Sequence, residues 1–223
     1  AEGEANNLGN ISWGMDANKK FQEQELKFFN HYLKNEGPND IAEATIYVTG
    51  SNEWRNFNTW PPKNIVEKKI YFHQSEIASF SAPSGNNSYD EYVSDPMNPV
   101  PYTEDVHSGR PASYMTDDQR FASRRPDVMN YQTAILTEDI TLTGPLTADL
   151  FVSTTGTDAD YVVKLIDVFP PDLKAQNDRG SKVPLAGYQM LIRGDVLRGK
   201  YRNSIEKPEP FEPGKITEVK YEI

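Results

Sequence analysis

The chain has no cysteine. That excludes disulfide staples, thiol nucleophiles and cysteine-held zinc, and it leaves the compartment open. No stretch approaches the roughly 18 consecutive apolar residues that span a bilayer, so no membrane partner is expected. Positive charge is in deficit. The 23 Lys and Arg face 33 Asp and Glu, and the net charge of −10 has the wrong sign for a surface that gathers phosphates. Nucleic acid is therefore not an expected partner. Histidine is scarce as well. His31, His73 and His107 form no H-x-x-x-H or H-E-x-x-H pair, so neither a metal nor any other cofactor is expected. A serine elbow is missing too. Ser51 follows Gly50 and Ser84 precedes Gly85, but neither completes G-x-S-x-G, and the βαβ alternation that carries such an elbow is absent. By itself the chain encodes no complete triad of nucleophile, base and orienting acid. No secretory leader stands at Ala1, although a trimmed chain would have lost one.

What is present points to β structure. A chain of 223 residues suits one large domain or one domain with an appendage. The 16 prolines and 14 glycines imply many turns, and 12 tyrosines suit strands. One helix is expected over 17–35. Asp16 can cap it, and Phe21, Leu26, Phe28, Phe29, Tyr32 and Leu33 recur at roughly helical spacing. Gly37 and Pro38 end it. Strands are expected at 44–49 and 68–73, with Trp54, Phe57 and Trp60 in a loop between them. Residues 81–132 are irregular and proline-rich, and a stretch of that length needs a functional or architectural reason. Further on, Leu146, Ala148, Leu150 and Val152 share one face of a strand at 146–153. The run 161–169 is almost continuously apolar, as in a central strand covered on both faces. A strand at 188–193 follows, and 199–202 closes that stretch. Leu150, Val152, Val163, Leu165, Ile166 and Val168 are the expected core. The last strand, 216–223, meets the end of the chain without a turn, so the natural protein is expected to continue.

Several residues carry chemistry that could be used or merely structural. His31 on the helix and His73 on a strand read as structural. His107 lies in the long loop, where it could face a pocket. Asp158 and Asp160 form D-x-D between two strands, which fits turn chemistry better than calcium, because two carboxylates are too few oxygen ligands. Asp117-Asp118-Gln119-Arg120 and Arg124-Arg125-Pro126-Asp127 read as a salt-bridged loop. A sharper alternative is a loop latched by Arg–carboxylate forks against a neighbouring domain.

Several ordered stretches resemble one family. NNLGNISWG (6–14), KFFNHYLK (27–34) and IYVTGSNEWRNFNTWPP (46–62) are similar to the region after the catalytic histidine of α-amino acid ester hydrolases. Those enzymes group with cocaine esterase, X-prolyl dipeptidyl-peptidase and cephalosporin acylases. The likeness continues through YVSDPMNPVPY (92–102), DDQRFASRRPDVMNYQT (117–133), LTGPLTADLFVSTTGTDADYVVKLIDVFP (142–170) and GYQMLIRGDVLRGKYR (187–202).

The resemblance implies a mainly β fold: a jelly-roll (galactose-binding-like) β-sandwich, incomplete at its end, preceded by one helix from an α/β-hydrolase domain. Residues 1–40 would be the tail of that hydrolase domain and 41–223 the β-sandwich. The family's activity is acyl transfer at ester or amide bonds by a serine nucleophile. No catalytic position matches here, so the chain alone is expected to be inactive. The 102–120 loop would contribute pocket wall, with Tyr102, His107, Tyr114 and Met115 as lining residues. The implied partners are the α/β-hydrolase and cap domains of the same protein and, for the parent, a small-molecule ester or amide. The apolar helix face and the last strand also suit a homo-oligomer. A periplasmic or secreted parent is implied, with a cytoplasmic one as the alternative. The competing reading is a free-standing β-sandwich module binding carbohydrate or protein, in which Trp54, Trp60 and Tyr89 would stack on sugar rings. The WPP context and the aromatic helix fit packing better.

Overall fold

The computed structural model describes residues 6–14, 16–85, 88–109, 111–174 and 180–223. They form two compact units. The first comprises 1–143 with 169–188, and the second 144–168 with 189–223. This division runs within the 41–223 segment. Among the described residues the strands form five antiparallel pairs, so the mainly β class expected from the sequence is what is observed.

In the first unit, β1 (Asn7–Leu8) and β2 (Ile11–Ser12) make a tight hairpin. Gly9 turns it at φ +57°, and a Cβ there would lie 2.5 Å from Thr116 Oγ1, so only glycine fits. The helix α1 (Ala17–Lys34) begins where Asp16 accepts from the Lys19 N–H at 3.0 Å. It ends at Asn35, left-handed at φ 57°, whose N–H reaches the His31 carbonyl. No residue of α1 is buried, and Leu33 is 73% exposed. Gln24 Nε2 donates to Thr45 Oγ1 at 2.6 Å. Then come β3 (Ala44–Val48) with β4 (Glu53–Phe57), and β5 (Tyr71–His73) with β6 (Ile77–Ser79). Beyond these the backbone is irregular. Short helical turns at Ala112–Thr116 and α2 (Arg120–Ser123) interrupt it. Gln132 rejoins the unit beside β6, where its backbone bonds Ala78 and Glu76 at 2.9 Å each.

The second unit is more regular. β7 (Thr147–Val152) pairs with β10 (Thr217–Glu222), which sets Val219 opposite Leu150 and Tyr221 opposite Ala148. β8 (Asp160–Val168) pairs with β9 (Gln189–Arg198), with a bulge at Leu165/Ile166. Ala148, Met190, Phe211, Val219 and Ile223 are its buried apolar residues. Gly199 lies against Phe211, where a Cβ would come within 2.4 Å of the ring.

Four sequence expectations need correction. Residues 53–57 are a strand rather than loop, because Trp54 and Phe57 pair in register with Tyr47 and Ala44. The strand expected at 68–73 forms only over its last three residues, the part that β6 pairs. Residues 199–201 are a helical turn that places Gly199 under Phe211. Val168, expected in the core, is 42% exposed, whereas Leu150, Val152, Val163, Leu165 and Ile166 are half-buried. Among the described strands β8 has one neighbour, β9, so its apolar run is not sealed as it would be in a central strand.

Candidate functional site

The candidate pocket-wall loop lies in the first unit. Residues 88–102 are exposed throughout. Pro96, Pro99 and Pro101 remove backbone donors from this stretch, and no described strand pairs with it. Other elements hold it by side chains. The Tyr131 hydroxyl donates to Asp90 Oδ2 at 2.8 Å, and the Tyr131 ring stacks on Phe72 with centroids 4.2 Å apart. Burial, reinforced by the Asp90 carboxylate, pushes the Tyr131 phenol up to about 12. Arg125 donates through Nη2 to the Asn98 carbonyl at 3.0 Å.

Of the four expected lining residues, the structure brings two together. The Tyr102 and Tyr114 rings lie 4.8 Å apart, tilted. Met115 sits next to Tyr114 on the same helical turn and is exposed. His107 stands exposed in the loop. A cavity of about 170 Å³ opens beside this group and is lined by Glu104, Asp118, Arg120, Phe121 and Arg124, so it contains none of the four. Its walls are mixed in charge. Within it Arg120 Nε donates to Asp118 Oδ2 at 2.6 Å, a bond that raises the guanidinium further above its ordinary range.

Beneath the loop is a polar junction that the sequence did not disclose. Thr116 and Gln119 are buried. Thr116 Oγ1 donates to the Leu8 carbonyl at 2.9 Å, and its own carbonyl accepts from the Tyr188 hydroxyl. Gln119 Nε2 donates to the Asp117 carbonyl at 2.9 Å. Burial, with Asp118 and Asp117 nearby, pushes the Tyr188 phenol up to about 12. Dense Thr, Asp and Gln at 116–119, in and just before the first charged motif, was the available signal, but no pattern showed which would be enclosed.

The remaining chemical candidates are tied into local structure. His31 Nδ1 donates to the Gly37 carbonyl and His73 Nε2 to the Ser81 carbonyl, each at 3.0 Å. Asp158 Oδ1 accepts from the Lys200 N–H at 3.0 Å, and Asp160 grips Arg198 through two bonds of 2.8 and 2.9 Å. Among the described residues no cluster of three or more His, Cys, Asp or Glu is placed to hold a metal ion. Ser51 Oγ donates to the Val48 carbonyl at the β3–β4 turn. Two of the three proposed sugar-stacking rings are engaged internally: Trp54 meets Tyr47 edge-on at 5.3 Å, and Trp60 meets Phe57 at 5.2 Å, while Tyr89 is 81% exposed.

Comparison with known proteins adds family to geometry. The X-Pro dipeptidyl-peptidase C-terminal non-catalytic domain matches residues 31–223. Cocaine esterase of Rhodococcus sp. (strain MB1 Bresler) is 31% identical over 207 residues, covering 86% of this chain and 33% of its own. The crystal structure of an aminopeptidase from a marine sediment Thaumarchaeota archaeon superposes at TM-score 0.89 with 33% identity, over 98% of this chain and 36% of that one. An α-amino acid ester hydrolase superposes at TM-score 0.86 with 31% identity, over 98% of this chain and 37% of that one. The chain thus spans about a third of the length of these relatives. At that identity and coverage the jelly-roll type of mainly β fold is shared with them, and the chain belongs to the family of X-Pro dipeptidyl-peptidase C-terminal non-catalytic domains.

Proposed function

We propose that this domain serves a serine hydrolase that acts on ester or amide bonds by acyl transfer, of the α-amino acid ester hydrolase or cephalosporin acylase type, and that it covers and shapes the active site. One observation carries the reading. Nearly the whole chain aligns with about a third of two hydrolytic enzymes, an aminopeptidase and an α-amino acid ester hydrolase, at high structural similarity. The nucleophile, base and orienting acid then belong to the α/β-hydrolase and cap domains of the same protein, with a small-molecule ester or amide as substrate. This domain excludes water and sets the acyl pocket. Tyr102 and Tyr114, a touching aromatic pair on the irregular loop, with Met115 and His107 beside them in sequence, are the residues through which it does so. The exposed aromatic face of α1 suits burial against the hydrolase part or a second copy. A periplasmic or secreted setting accords with the reading.

The test compares the isolated chain with the full-length protein on activated esters of differing acyl bulk. The chain alone should release no product above buffer. In the full-length protein, Tyr102→Ala with Met115→Ala should change kcat/KM for bulky acyl groups by about tenfold or more relative to acetyl, since one lost pocket contact is worth about 1–3 kcal/mol. Equal effects on all acyl groups would overturn the pocket-wall role. Turnover by the isolated chain that disappears in Ser51→Ala or Ser84→Ala would overturn the non-catalytic role.

A further inference from the structure

We infer that Arg125 is a positioning residue for the candidate pocket wall: its fork with Asp127 fixes the Asn98 carbonyl, and the Pro99-Val100-Pro101 rod carries that fixed point to the Tyr102 ring. The inference rests on the pocket-wall reading and adds the element that sets its geometry.

The argument begins with what the loop lacks. Among the described residues no ladder holds the backbone between Tyr89 and Tyr102, and a backbone bond within the stretch runs from the Asn98 N–H to the Asp95 carbonyl at 3.0 Å. Such a segment takes whatever position its side-chain ties impose. Arg125 supplies a rigid tie. Its Nε donates to Asp127 Oδ1 at 2.8 Å and its Nη2 to Asp127 Oδ2 at 2.6 Å, so both edges of the carboxylate are engaged. Pro126 between them limits the backbone freedom of the pair. The Nη2 of this locked, planar group also holds the Asn98 carbonyl. Only guanidinium offers donors in a fixed fork of that reach; an ammonium is a point charge on a flexible stem. The side chains of Arg125 and Asp127 are only 23% and 17% exposed, so the fork is sheltered, whereas its bond to the Asn98 carbonyl lies at the surface.

From the pin onward the chain is stiff. Pro99 and Pro101 each fix φ near −65°, and Pro101 biases Val100 to extended backbone. An extended rod of this kind advances about 3.1 Å per residue, which carries Tyr102 roughly 12 Å from Asn98 along one direction. Its ring then meets Tyr114. Arg125 thus acts on the pocket wall through backbone.

The test is a distance measurement in the full-length protein. Cysteine is absent from this chain, so paired spin labels go onto Val106→Cys and Glu53→Cys once any cysteines elsewhere are replaced. Both sites are exposed and lie in the same unit. A control pair, Glu53→Cys with Gln132→Cys, reports the fold of that unit. Arg125→Gln and Arg125→Lys should each broaden the 53–106 distribution to about twice its width, because loop motion is released. Both should leave the 53–132 distribution unchanged. An unchanged 53–106 distribution in both variants overturns the inference. So does broadening of both pairs in both variants, which would assign Arg125 to keeping the unit folded. The pocket-wall reading fails separately. With the distance released as expected, Arg125→Lys should raise KM for a bulky-acyl ester about tenfold while kcat stays within about twofold. Released distance with unaltered KM leaves the pin in place and removes the pocket.

Discussion

The two units solve one problem in different ways. The second has long strands, so ladders satisfy its backbone and its buried side chains can be apolar: Ala148, Met190, Phe211, Val219 and Ile223. The first has short strands and long irregular segments, and there side chains complete the backbone's hydrogen bonds. Thr116 reaches the Leu8 carbonyl, Tyr188 the Thr116 carbonyl, Asn130 the Ser123 and Val128 carbonyls, and Arg125 the Asn98 carbonyl. Buried carbonyls must find donors somewhere, and where no strand provides them a polar residue must be enclosed to do so. The device follows irregular backbone rather than the unit. In the second unit Arg202 donates to the Gly199 and Glu209 carbonyls where β9 gives way to turns.

The comparison can be broken most directly at Phe211. It is 3% exposed and packs on Gly199 and Tyr161, with the Arg202 guanidinium 4.5 Å from the ring centre. Phe211→Ala should cost about 3–5 kcal/mol, the usual range for a buried aromatic. Amide exchange should accelerate in β7 to β10 and leave β3 to β6 unaltered. Equal acceleration everywhere would mean that the two units open as one.

The next effect separates polar from apolar junctions. Tyr188→Phe keeps the ring and removes the donor to the Thr116 carbonyl, so it should cost about 1–3 kcal/mol, the penalty of one unsatisfied buried group. A value near zero by chemical denaturation would show that the enclosed hydroxyl is dispensable, and the contrast between the units would lose its main support.

Titration sharpens the contrast further. Tyr131, Tyr188 and Tyr221 are each raised to about 12, in every case chiefly by burial. A phenol whose native value lies above its unfolded value of about 10 contributes stability that is complete below about pH 10 and lost as pH climbs towards 12. Ultraviolet difference titration should show these three phenols titrating late, and Tyr188→Phe should remove one of them. The acid side carries the opposite sign. The bond from Arg125 lowers Asp127 below the ordinary carboxylate value. Its contribution is complete above about pH 4 and is lost as pH falls through the lowered native value. The Val106 label should therefore loosen in acid before the second unit's ladders open. The smallest effect belongs to the exposed Lys215–Glu212 pair, at 2.7 Å with side chains 59% and 74% exposed. Lys215→Ala should change stability by less than about 0.5 kcal/mol. A larger loss would mean that this surface is covered.

Much of the fold was legible where its causes are local. Asp16, the recurrent aromatics and the Asn35–Gly37 stop all act within a turn of the helix they define, so α1 could be read to within one residue. Alternation placed β7 and β10, and the apolar run placed β8. The strand β4 escaped because Asn and Pro around Trp54 and Phe57 argue for a loop, and only pairing with β3 makes a strand of it. Among the candidate site residues, membership of the long loop was readable, and the meeting of Tyr102 with Tyr114 was not.

The sequence alone determined composition, charge, the helix and most strand positions, because propensity, capping and periodicity operate over a few neighbouring residues. The forks Asp118–Arg120 and Arg125–Asp127 belong with these, since each joins residues two positions apart. Only the tertiary structure decided which polar groups are enclosed and what the forks hold. Thr116 bonds a carbonyl 108 positions away and Arg125 one 27 positions away. Hydrogen bonds of that span depend on where the whole chain has come to rest, and no local pattern encodes them.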